Sequence, residues 1–183
     1  MTDTQMQLEL GRAKNALQDY LIRKLLVPKV YLDADWNGEK VDVLAIDRAG
    51  VGDVHAVQMV PPQGRFIEDG AMVLIARMVF DSVKGLKSLP SHFRYVAVIS
   101  GDPDNRRFNP SDPIMQESFA EDGVGRVGIL YVDLSEDDPK FQIRAVLKPE
   151  RFRSSKEIIE LADRYVSEHT ANWEIRDDPA PVS

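Results

Sequence analysis

KVYLDADWNGEKVDVLAIDRAGVGDVHAVQMV, residues 29–60, is the stretch on which the fold turns. It reads as three consecutive strands: Val30 to Trp36, Glu39 to Asp47, and Asp53 to Val60. The first two are joined by Asn37-Gly38. Asn-Gly between two apolar runs is a strong hairpin signal, because both residues tolerate the positive φ that a type I′ turn requires. Two polar side chains interrupt the apolar strands. Asp42 lies between Val41 and Val43 in the middle strand, and Gln58 lies inside the third. An ionised carboxylate in an apolar strand is costly unless a metal or a hydrogen-bond donor pairs with it, or unless its face opens to solvent.

Outward from this meander, the N-terminal side reads as a helix from about Thr4 to Leu26. Met6, Leu10, Ala13, Leu17, Leu21 and Leu25 recur along one face, Thr4 and Gln7 form a capping box, and Pro28 is the stop. Glu9 falls at the border of that face, in line with Ala13, Ala16 and Tyr20. On the C-terminal side a second helix is expected from about Phe66 to Lys84, ended by Gly85, with Ile67, Ala71, Ile75, Met78 and Val79 facing the core. Arg94 to Ser100 contains Tyr-Val-Ala-Val-Ile, a continuous β-prone run suited to a central or parallel strand. A loop over 101–110 and a short helix opened by Asp112-Pro113 and running to about Ala120 follow. Val127 to Leu134 is a fifth strand and Phe141 to Lys148 a sixth, alternating as an edge strand does. Ser154 with Glu157 caps a last helix to about His169, and the acidic tail, 171–183, is expected to fray, with Trp173 and the residues after it unpaired. Residues 1–170 form one α/β domain, since a chain of 183 residues is long enough for one substantial core and leaves little for a second.

Composition narrows the function classes. The chain has no cysteine, which removes disulfides, thiolate zinc sites and cysteine nucleophiles together and fits a cytoplasmic location. A polar, acidic N-terminus and the lack of a long apolar run argue against a signal peptide or a membrane partner. The net charge of −7 argues against broad, nonspecific binding to nucleic acid while leaving room for a local basic face. The basic set Arg144, Lys148, Arg151, Arg153 and Lys156 around the last strand and helix is the candidate for such a face.

Three motifs dissolve on inspection. Asp33-Ala34-Asp35-Trp36-Asn37-Gly38 matches the first half of a calcium loop, but the position of the final bidentate Glu is Leu44, and a hairpin turn explains the same residues. Gly123-Val-Gly-Arg-Val-Gly128 spells a dinucleotide fingerprint in the wrong context, before a strand rather than after one. His55, His92 and His169 have no ligand spacing between them.

Laid out as helix, three-strand meander, helix, strand, helix, strand, the chain resembles the restriction-endonuclease-like fold of the PD-(D/E)XK nuclease superfamily. The likeness extends from Glu9 to about Arg151 and includes Lys40-Val-Asp-Val-Leu-Ala-Ile-Asp47, Arg94 to Ser100 and Gly128-Ile-Leu-Tyr-Val-Asp133. In that family a Glu on the first helix, an Asp on the second strand, and a Glu or Gln with a Lys on the third hold Mg²⁺ and an attacking water against a phosphodiester. The resemblance implies Glu9 as the helix carboxylate, Asp42 as the central metal ligand and Gln58 as the third catalytic position, with Mg²⁺ as the cofactor if the domain is active. The pattern departs on the third strand. Val54-His-Ala-Val-Gln-Met-Val60 supplies no register with both an acid and a lysine on one face. Glu68 and Lys84 or Lys87 are conceivable replacements, but the two lysines lie several turns from Glu68. The expectation is therefore a degenerate restriction-endonuclease-like domain acting as a binding or assembly module in a nucleic-acid-related system, with nucleic acid as a partner. Its alternatives are an active Mg²⁺-dependent nuclease and a protein-interaction subunit, with a protein partner or a second copy of itself and no nucleic-acid role.

Overall fold

The computed structural model describes residues 2–47, 52–60, 71–100, 126–138, 142–152 and 155–174. The loop and short helix expected over 101–120 lie outside the described residues, as do Glu68 and Arg153. The elements are α1 (Asp3–Arg23), β1 (Lys29–Trp36), β2 (Glu39–Ile46), β3 (Val54–Val60), α2 (Ala71–Lys87), β4 (Phe93–Ser100), β5 (Gly128–Asp133), β6 (Ile143–Leu147), α3 (Lys156–Glu168) and β7 (Trp173–Glu174).

The strands form one mixed sheet in the order β6-β5-β4-β3-β2-β1-β7. The β1–β2–β3 meander is antiparallel, β3, β4 and β5 run parallel, and β6 turns back against β5. One face is covered by α1, whose Ala13, Leu17 and Leu21 pack on Val30, Val43, Ala45 and Val57. The other is covered by α2 and α3 through Val79, Val83, Leu86, Leu161 and Tyr165, which pack on Tyr31, Trp36 and Leu44. β4 and β5 thus have helices on both sides, which is why they carry near-continuous apolar runs. The hairpin turn is as expected, with Asn37 at φ 55° and Gly38 at φ 83°.

Several boundaries differ, each for a local reason. Thr2, not Thr4, caps α1, its hydroxyl accepting the Gln5 amide at 3.3 Å. The helix ends at Arg23 rather than Leu26, because Val27 N–H returns to the Leu21 carbonyl at 3.1 Å and Leu26 takes a positive φ of 55°. Gly85 does not stop α2, which runs through it to Lys87. The carbonyls of Lys87 and Leu89 are instead taken by the Arg94 guanidinium at 2.9 and 2.6 Å. Ser155, not Ser154, caps α3 by accepting the Ile158 amide at 3.2 Å. In β6 a register irregularity at Ile129/Leu130 breaks the expected alternation, so Ala145 is exposed. The tail does not begin at Trp173. Trp173 and Glu174 pair with Val30 and Lys29 as β7, and the Asn172 side-chain oxygen accepts the Leu32 amide at 2.6 Å.

Candidate functional site

The ladder between β2 and β3 runs from Ile46↔Val54 to Val43↔Val57 and stops, whereas β3 continues beside β4 to Val60. Beyond Val57 the β3 edge that faced β2 has lost its strand partner. The Met59 amide points into that opening, and a backbone N–H left there unpaired would be destabilising. Asp42 supplies the missing acceptor: its Oδ2 takes the Met59 amide at 2.7 Å and the Gln58 side-chain amide at 2.9 Å. Asp42 and Gln58 are therefore brought together, as partners in one hydrogen bond.

The other carboxylate oxygen faces α1. Lys14 Nζ lies 3.7 Å from Asp42 Oδ1 and is also bonded to Asp33 Oδ1. Lys14 and Asp42 have side chains 11% and 19% exposed, whereas Asp33 is open at 71%, so water screens only part of this cluster. A break in strand alternation puts both carboxylates on the α1 side. In β1, Tyr31, Ala34 and Trp36 join the core under α2 and α3, while Val30 belongs to the core under α1 and Leu32 packs against it. The phase thus shifts between Leu32 and Ala34, where Asp33 has φ 53°, a left-handed conformation that Asp tolerates better than most residues. In β2 the shift falls between Val41 and Val43, at Asp42.

Glu9, the helix carboxylate that the resemblance implies, is half-buried on α1 and makes no ion pair or hydrogen bond with the described residues. Lys14 lies five positions further on, about 7.5 Å along the axis and about 140° around it. Carboxylates convergent enough to hold a divalent cation would need Glu9 beside Asp42. Among the described residues no group of three or more His, Asp or Glu side chains does this. Gln58 turns its NH₂ toward Asp42, and Asp42 already receives two N–H groups and an ammonium. That donor set does not fit Mg²⁺.

The basic set is largely neutralised. Arg144 pairs with Asp133 at 3.0 Å, Arg151 with Asp53 at 2.6 Å, and Lys156 with Glu160 at 3.3 Å. Lys148 is exposed and has no ion pair with the described residues. Lys84 and Lys87 stand in the last turn of α2.

The residue missed in the sequence is Lys14. It falls four after Leu10, three before Leu17 and seven before Leu21. That spacing places a lysine within the buried stripe of α1, and a cation there calls for a carboxylate on the sheet it packs against.

No protein-family model matches the sequence, and no curated protein matches it. Among solved structures, the SPO1766 protein of unknown function from Silicibacter pomeroyi is similar over 92% of this chain and 88% of its own, at 11% identity and a TM-score of 0.46. No helix among the described residues is long and apolar enough to cross a membrane.

Proposed function

We propose that this chain is a restriction-endonuclease-like domain that does not hydrolyse phosphodiesters and serves as a binding or assembly module. The observation that carries the reading is the Lys14 ammonium 3.7 Å from Asp42 Oδ1. With Met59 and Gln58 on the other oxygen, Asp42 acts as a structural bridge between α1, β2 and β3. A carboxylate with two N–H donors on one oxygen and an ammonium facing the other is a poor ligand for a hard cation, and its pairing gives it a reason to be present without catalysis.

Pairing of Arg144, Arg151 and Lys156 with acids favours a protein partner over nucleic acid for this module. A basic side chain already neutralised within the fold releases fewer counterions when it meets phosphate.

The test is incubation of labelled single- and double-stranded DNA and RNA with Mg²⁺ or Mn²⁺, beside EDTA and an Asp42→Asn protein. No cleavage is the expected result. Cutting that needs the metal and disappears in Asp42→Asn would replace this reading with a Mg²⁺-dependent nuclease. Nucleic-acid binding is scored separately by salt titration, with Lys148→Glu as the charge-reversal control. A steep salt dependence that Lys148→Glu flattens would restore the nucleic-acid module.

A further inference from the structure

The N-terminal end of β3, opposite Asp42, is tied to β4 by a histidine. His92 is 0% exposed. Its backbone N–H donates to the Val54 carbonyl at 2.9 Å, and its carbonyl accepts the Phe152 amide at 2.8 Å. Its ring Nδ1 accepts the Val54 amide at 3.0 Å. A ring nitrogen that accepts must keep its lone pair, so the imidazole is neutral with its proton on Nε2. That Nε2–H is buried without a hydrogen-bond partner among the described residues.

Asp53 Oδ1 lies 3.9 Å from the same Nδ1 and is held by Arg151, through Nε at 3.0 Å and Nη2 at 2.6 Å. Arg151 belongs to a strap, residues 149–152, between β6 and α3. The strap sits tightly on the sheet: a Cβ on Gly128 would come within 2.8 Å of Pro149 Cδ. Its Phe152 ring lies 3.8 Å from the Arg94 guanidinium carbon, and its Glu150 amide donates to the Arg126 carbonyl at 3.2 Å.

The charged and titratable neighbours come from each packed element. Asp47 and Asp53 flank the loop between β2 and β3, and His55 stands on β3. Arg94 and Tyr95 stand on β4, and Arg151 on the strap. Arg94 is spent on the carbonyls of Lys87 and Leu89 and on the Ser91 hydroxyl. His55 stacks on Phe93 and lies 3.4 Å from the Tyr95 hydroxyl. Burial lowers His55 to about 4 against the opposing pull of Asp53 and Asp47. Burial likewise lowers His92, with Asp53 opposing and Arg151 assisting.

We propose that His92, Asp53 and Arg151 form an acid-sensitive latch on the strap: protonation of His92 breaks its bond to the Val54 amide, draws Asp53 from Arg151 to the imidazolium, and releases residues 149–152. One proton taken from solvent at Nδ1 completes the step. The sign follows from proton linkage. Both histidines are neutral in the latched form, so the released form binds more protons below the ordinary histidine value of about 6.5, and latching weakens progressively as pH falls from there.

The experiment is amide hydrogen exchange by two-dimensional NMR on the full chain from pH 7.5 to 4.5, corrected for intrinsic rates, with the His92 ring nitrogens followed in parallel. Protection of the Val54 and Phe152 amides should fall by about tenfold or more with the His92 titration, while Met59 at the other end of β3 stays protected. In His92→Asn, whose side-chain oxygen can accept the Val54 amide without titrating, that loss should disappear. The latch is overturned if His92 stays neutral throughout, if Val54, Phe152 and Met59 lose protection together, or if His92→Asn opens as the parent does. Should His92→Asn not fold, the wild-type ring titration and the Val54-to-Met59 contrast still decide.

Discussion

At one end of β3 an ionised carboxylate accepts a stranded backbone amide, and at the other a neutral imidazole does so. Asp42 takes the Met59 amide where β2 leaves β3, and His92 takes the Val54 amide where β4 begins. The first acceptor carries charge and is balanced by Lys14 beside partly open Asp33. The second is fully enclosed and has to stay neutral. Burial explains the choice. A charge is tolerable where water and a counter-ion both reach it, and where water does not the fold uses an acceptor that ionises only in acid. The largest expected effects follow at the Asp42 end. Asp42→Ala leaves the Met59 amide without its acceptor and the mostly buried Lys14 ammonium with Asp33 as its remaining carboxylate, and should lower unfolding stability by about 2–4 kcal/mol in urea denaturation. Asp42→Asn keeps an acceptor and should cost less than half as much. If the two variants were equally damaged, the Lys14 pair rather than the bridge to Met59 would be what holds this end.

At the His92 end, His92→Leu preserves bulk but removes the acceptor for the Val54 amide. A loss of about 1–3 kcal/mol is expected at pH 7.5, with the protein then less sensitive to acid than the parent. Equal acid sensitivity in parent and variant would move the pH response elsewhere. Gly128→Ala probes the same end sterically, because its new Cβ would meet Pro149 Cδ and Tyr95 Cδ1, each at 2.8 Å. Thermal denaturation should show about 1–3 kcal/mol of destabilisation from that overpacking. A neutral result would mean that the strap yields freely.

The two ends were unequally legible. The meander could be read because Asn37-Gly38 and the apolar runs around it agree with each other, and the parallel run of β4 because an apolar stretch covered on both faces has no polar side to confuse it. Asp42 stood out as a charge among valines. The facing of that charge did not, since strict alternation gives no hint that the phase shifts at Asp33, with its left-handed φ, and again at Asp42, so that both carboxylates face α1. His92 left still less trace, because its role depends on a backbone amide, and amides carry no sequence signal. The pairing of Trp173 and Glu174 is hidden for the same reason: Asn172 and Trp173 are held through backbone and amide bonds to β1 rather than through an apolar pattern.

The smallest expected effect tests α1, where two charged residues five apart have different environments. Lys14 is mostly enclosed against Asp42, whereas Glu9 is half-buried with no ion pair to the described residues. Lys14→Met keeps the aliphatic packing and removes the ammonium, which should cost about 1–2 kcal/mol and make stability less dependent on salt. Glu9→Gln should stay within about 0.5 kcal/mol of the parent, as substitutions away from packed or paired positions do. Both are measured by urea denaturation at low and high salt. A reversed order, with Glu9→Gln the more damaging, would mean that a buried contact of Glu9 outweighs the Lys14 bridge and would return the helix carboxylate to the centre of the site. The order expected instead makes Lys14 the charged residue by which α1 engages the β1–β2 hairpin, and gives Asp42 its counter-ion from within the chain.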